Sequence, residues 1–203
     1  MKKRILSLAL SAAMALTMLP TGAFAASDKG KPPVYNKATG CYEISTPDQL
    51  LYLSGSWRDG APRDGHYVLT ADIDMTGVKG FKPIASKKDQ GFTGTFDGQF
   101  HAIKGLRVEY EKKYAGLFGY VGNQDDQAYI KDVALLDCYV TGQQNVGALA
   151  GVNYGTITGC VVTGEVKCLD LSNSHTAGGI CGKLKEGEGP IVGHVEDCYI
   201  NAD

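Results

Sequence analysis

Short apolar segments recur along the chain at near-constant spacing, and that recurrence limits the fold more than any other feature. IKGLRV starts at Ile103, IKDVAL at Ile130, ITGCVV at Ile157 and VEDCYI at Val195. The first three start 27 residues apart; the fourth follows after 38, an insertion of 11. Each is apolar at its first, fourth and sixth positions. A second element lies between them as AGLFG at 115–119, GALAG at 147–151 and GGICG at 178–182. A third recurs as CYVTG at 138–142 and CVVTG at 160–164. Self-similarity at such a period is the mark of stacked repeats.

The repeats are strands rather than helices. Apolar and polar residues alternate over four to six positions, with Gly, Asn and Asp at the ends, and no helix of ten residues fits between them. A unit of about 27 residues holding three short strands predicts one turn of a right-handed parallel β-solenoid, in which equivalent side chains stack about 4.8 Å apart. Glycine accounts for 27 of 203 residues, about twice the usual share, and much of that excess sits at repeated positions. Small residues there let the wall turn or pack closely. No G-x-x-x-x-G-K-[ST] or G-x-G-x-x-G pattern is present, so the glycines do not spell a phosphate cradle.

The first residues carry an export signal. Lys2, Lys3 and Arg4 precede an apolar run from Ile5 to Leu19, and Ala23-Phe24-Ala25 is an A-x-A cleavage site. The run falls short of the roughly 20 residues needed to span a bilayer. Cleavage after Ala25 takes the formal net charge from −2 to −5, which argues against nucleic acid as a partner. The expected organisation is a signal peptide over 1–25, a flexible lead-in over 26–40 and a β-solenoid over 41–203. The location that follows is secreted or cell surface, with no membrane span after signal removal. Near the solenoid start, Ser45-Thr46-Pro47-Asp48 predicts a short capping helix through Leu53, ended by Gly55.

AGLFG, GALAGVNYGTI and GGICG resemble the motif of the GLUG-repeat proteins. EISTPDQLLYLS, YVLTADIDMTG, FKPIA and FTGTFDGQFHAIKGL are similar to the segment that introduces those repeats. The resemblance covers about residues 42–200. It implies an exported or surface-associated bacterial β-solenoid, a class that includes IgA-specific metallopeptidases carrying the repeats outside their catalytic part. This chain has no H-E-x-x-H, so the peptidase chemistry does not carry over. The third repeat departs from the pattern around CLDLSNSHT and KEGEGP.

Candidate sites are few. Cys160 and Cys198 hold the fourth repeat position, which Leu106 and Val133 fill with hydrocarbon, and Cys181 takes the place of Phe118 and Ala150. That predicts a buried thiol stack, with one disulfide between neighbouring turns as the alternative; without a C-x₂-C pair, zinc is disfavoured. Asp72 and Asp74 are two apart in a strand and point outward while Ile73 and Met75 point in. Asp125 and Asp126 sit in a polar loop. Either pair offers oxygen ligands to calcium, against the plainer reading of solvated acids. Tyr139 and Tyr199 each follow a Cys and should face outward, where they could stack on sugars or a partner surface. His101 reads as structural.

The leading expectation is a non-catalytic extracellular module for adhesion or ligand presentation, with a glycan or a host or matrix protein as partner. Two alternatives stand beside it: a β-helical polysaccharide-acting enzyme using Asp72 or Asp74 with Asp97, and the N-terminal fragment of a larger surface protein.

Overall fold

Alternation puts one apolar side chain in each short strand on the same side as its equivalents, and the fold aligns those side chains in columns. The structure is a computed structural model; it describes residues 30–55, 61–170, 176–184 and 194–202. The expected signal peptide lies outside the described residues. The chain is all-β with one α-helix among the described residues.

Among the described residues, seventeen strands form three sheets. The first contains β1 (Val34–Asn36), β2 (Cys41–Ile44), β3 (His66–Leu69), β5 (Thr95–Asp97), β9 (Tyr129–Lys131), β12 (Thr156–Thr158) and β16 (His194–Glu196), in that spatial order. The second runs from β4 (Ile73–Asp74) through β6 (Ala102–Lys104), β10 (Ala134–Gly147) and β13 (Val161–Cys168) to β17 (Tyr199–Ala202); β7 (Arg107–Ala115) and β14 (Ala177–Gly178) also pair with β10. The third is β8 (Phe118–Val121), β11 (Ala150–Asn153) and β15 (Cys181–Leu184). From β5 onward the chain visits the first, second and third sheets in turn, pass after pass. Every pairing is parallel except β1 with β2.

The core is the set of inward columns. Tyr42, Tyr67, Phe96, Ile130, Ile157 and Val195 are consecutive partners in the first sheet. Ile73, Ile103, Leu135, Val162 and Ile200 are consecutive partners in the second. Ile84, Phe118, Ala150 and Cys181 do the same in the third. Side-chain bulk falls after Phe96 in the first column and after Phe118 in the third. Phe92 and Phe96 lie 5.1 and 5.4 Å from Phe118, ring centre to ring centre, and later passes continue the Phe96 column with Ile130, Ile157 and Val195 and the Phe118 column with Ala150 and Cys181. Burying such columns against one another is what a single pass cannot do alone.

Two features of the repeat differ from the sequence reading. Ile130, Ile157 and Val195 are true partners, but Ile103 pairs with Leu135 rather than Ile130. IKGLRV therefore belongs to the next corner along the chain. The cause is a shared local turn: Asp132, Gly159 and Asp197 have φ of 54°, 63° and 49° at one corner, and Gly105 has 66° at another. Gly, Asp and Asn tolerate that left-handed conformation best, so both corners write a similar tripeptide. CYVTG and CVVTG are likewise not equivalent. Ala134 faces Val161, yet Cys138 faces Gly164, because an irregularity between Leu135 and Cys138 shifts the register.

The expected helix is present as α1 (Pro47–Leu53), with Pro in its first turn. The Thr46 hydroxyl accepts from the Gln49 N–H at 3.3 Å, and the Gln49 Oε1 accepts from the Ser45 N–H at 2.8 Å, a reciprocal cap. Leu50 and Leu53 are buried in the core. The segment expected as a flexible lead-in contains β1 instead. Gly40 donates back to the Asn36 carbonyl at 2.9 Å and Tyr35 lies 4.9 Å from Tyr42, so a tight turn folds the segment onto β2.

Candidate functional site

The outward faces of the sheets carry the polar chemistry, and β10 carries its most developed patch. Cys138 and Val140 are buried in the core, and parity turns Tyr139 and Thr141 to the opposite face, where Tyr139 is half-buried and Thr141 is covered. Arg107, Tyr139 and Glu165 share one outward row, and Glu109, Thr141 and Lys167 share the next. The Arg107 guanidinium carbon sits 4.2 Å from the Tyr139 ring centre, and the Lys167 Nζ sits 5.8 Å from it. Both are cation–π distances. Arg107 Nη2 donates to Glu109 at 2.8 Å, and Lys167 pairs with Glu165. These bonds hold Arg107 and Lys167 more firmly protonated and Glu109 more firmly ionised. The patch is a half-buried tyrosine ring with the Arg107 guanidinium over its face, framed by cations and carboxylates in alternation.

The sequence reading found Tyr139 but not its frame. The missed signal was two segments of opposite order, Arg107-Val108-Glu109 and Glu165-Val166-Lys167, flanking Tyr139-Val140-Thr141. Tyr199 also faces outward and is 47% exposed, but it pairs with Val161, not with the Tyr139 row. The two tyrosines are four residues apart along β13, about 13 Å by strand rise, and do not make one patch.

The carboxylates go their separate ways. Asp72 Oδ1 accepts from the Ala102 N–H at 2.9 Å and lies 3.1 Å from His101 Nδ1, a contact that ties β6 to the loop before β4. Asp74 Oδ1 accepts from the Thr76 N–H at 2.9 Å. Asp125 and Asp126 donate their backbone N–H groups to Asn123 Oδ1 at 2.7 and 2.8 Å, and Asp126 Oδ2 accepts from Asn123 Nδ2. Asp74 and the Asn123–Asp126 cluster thus close local turns, whereas Asp72 makes a long-range contact. Among the described residues no three His, Cys, Asp or Glu side chains gather as a metal site.

A further acidic pair lies where the first sheet turns into the second. Asp97 meets Lys131 Nζ at 2.6 Å and accepts from the Gln99 N–H and amide at 2.9 and 2.7 Å. Burial alone would raise its pKa; the Lys131 and Gln99 bonds outweigh that, and the carboxyl is held below its ordinary range. Asp132, next in the chain to Lys131, is pushed the other way by burial and by the Asp97 charge.

No protein-family model matches the chain. Halomucin of Haloquadratum walsbyi is 32% identical over 151 residues, which is 70% of this chain and 2% of Halomucin. A candidate Gly-rich membrane protein of Evansella cellulosilytica is 33% identical over 101 residues, 45% of this chain and 11% of that protein. The chain therefore spans a small part of the length of either relative. In three dimensions it is similar to a crystal structure of a candidate immunoglobulin A1 protease from Bacteroides ovatus, with a TM-score of 0.58 and 21% identity, over 80% of this chain and 47% of that one. At that identity the likeness is one of fold. Among the described residues no helix is long and apolar enough to cross a membrane.

Proposed function

We propose that this chain is a binding module of an exported or surface-associated protein, a right-handed parallel β-solenoid whose outer wall engages a glycan or a host or matrix protein. The observation that carries the reading is the combination of scale and surface. Sequence like this one makes up 2% and 11% of two much longer proteins, one named Halomucin and the other a membrane protein. Here the same kind of unit presents an ordered aromatic and charged row at Arg107, Tyr139 and Glu165. The signal-like residues 1–25 and the GLUG-like AGLFG, GALAG and GGICG support the same reading.

In this reading Tyr139 is the stacking platform and Tyr199 a separate outward contact. A wall of this type binds weakly at one site and gains strength by repetition, because linked sites raise effective concentration. The test is a glycan and matrix-protein array run beside an assay for sugar release. Binding without release, reduced by Tyr139→Ala, supports the module. Release of sugar would replace it with an enzyme, and an array without any signal would sink it.

A further inference from the structure

We propose that Cys160 and Cys198 form a disulfide that fastens the last pass of the chain to the one before it. Both residues follow the left-handed corner, at Gly159 and Asp197, and both occupy the position that Val133 holds one pass earlier. Val161 and Tyr199 are parallel partners, and the Tyr199 N–H donates to the Cys160 carbonyl at 2.9 Å. The two cysteines are thus neighbours across one ladder step. Adjacent strands lie about 4.8 Å apart, inside the window of about 4.4–6.8 Å between Cα atoms that a disulfide spans.

Side chains support the same pairing. Cys160 is fully buried and Cys198 half-buried; the Cys160 thiol donates to the Thr158 carbonyl at 3.3 Å and the Cys198 thiol to the Ile157 carbonyl at 3.9 Å, so both sulfurs sit against the same short stretch of backbone. The neighbouring Cys198 and burial together hold the Cys160 proton in place, while Cys160 favours the Cys198 thiolate against burial and the Asp197 and Glu196 charges. The accessible sulfur is thus the better nucleophile, and the buried one sits where it can resolve a mixed disulfide. The other four cysteines have no such neighbour in register. Cys41 lies in β2, Cys138 faces Gly164, Cys168 faces Gly142, and Cys181 faces Ala150.

The chemistry is exchange with a small-molecule disulfide of the oxidised-glutathione class. The Cys198 thiolate attacks one sulfur of the reagent and releases one thiol. Cys160 gives up its proton and attacks the Cys198 sulfur, which forms the protein S–S bond and releases the second thiol. Two electrons and two protons pass to the reagent, which leaves as two thiols. The bridge closes across the longest interval between equivalent strands, the 38 residues from Ile157 to Val195, where an added constraint removes the most freedom from the unfolded chain.

The test uses the full reduced chain equilibrated with oxidised and reduced glutathione. The expected result is an intact mass lower by about 2 Da, loss of two of the six thiols to maleimide labelling, and a linked Cys160–Cys198 peptide on a non-reducing map. Hydrogen exchange over Tyr199–Asn201 should slow on oxidation. Cys198→Ser, at the less buried position, should keep its remaining thiols free and lose the exchange effect; Cys160→Ser provides the second variant. The proposal is overturned if both thiols stay open to labelling, if a glutathione adduct persists on Cys198, or if the map links any other pair.

Discussion

At the scale of single residues, neighbouring carboxylates have opposite environments, and acid should separate them. Asp97 is held below its ordinary pKa despite burial, so its contribution is complete at neutral pH and is lost as pH falls through that lowered value. Asp97→Asn should cost about 1–2 kcal/mol at pH 7, a partly exposed charge-assisted bond being worth less than a buried one. It should also flatten the acid side of the stability profile, as read by thermal unfolding between pH 3 and 7. A variant that melts with the wild-type acid slope would contradict this. Asp132 has the opposite sign. Its pKa is raised in the folded state, so ionisation opposes folding above that pKa and the effect disappears in acid. Asp132→Asn keeps a residue suited to φ of 54° while removing the charge. Its melting temperature should equal or exceed the wild type at pH 7 and match it near pH 3.

The elements show which parts of the chain could be read from sequence and which could not. Helix α1 was legible because its signals are local: a hydroxyl cap, a proline and an apolar stripe within nine residues. Thr46→Ala should cost about 1 kcal/mol, measured by denaturant unfolding, and Thr46→Ser should recover most of it. The AGLFG, GALAG and GGICG elements were legible because their spacing and their packing coincide, with Phe118, Ala150 and Cys181 in one column. Their closing glycines have a steric basis. A side chain at Gly151 would meet the Tyr114 backbone at 2.6 Å, and the αL bend at Tyr114, with φ of 70°, fixes that approach. Gly151→Ala should therefore destabilise by about 1–3 kcal/mol, visible as a fall in denaturation midpoint. IKGLRV was misplaced because two corners of the fold use the same turn chemistry, and a short motif records the turn rather than the sheet. Tyr139 was legible as an outward residue from parity alone. The charges around it were not, because Arg107 and Lys167 reach it from strands 32 residues before and 28 residues after, a proximity only the register supplies.

Across the whole molecule, each pass contacts mainly the passes on either side, so stability should accumulate locally rather than through one central core. Native-state hydrogen exchange is expected to be slowest in β9, β10 and β12, which have partners on both sides and fully buried side chains at Ile130, Leu135 and Ile157. β16 and β17 should exchange earlier, with Ile200 already 46% exposed. Uniform protection from β2 to β17 would show a single cooperative unit instead. The parallel ladders also give the molecule a direction of strength. Their hydrogen bonds run from pass to pass, along the stack. A pull along the stack loads the bonds of one ladder at a time and peels passes away singly. A pull along the strands sets many bonds in shear together. A tether that transmits tension across the wall would therefore find it stiff, and one that pulls on its end would find it yielding in steps, so the orientation in which such a unit is built into a longer chain decides how much force it bears.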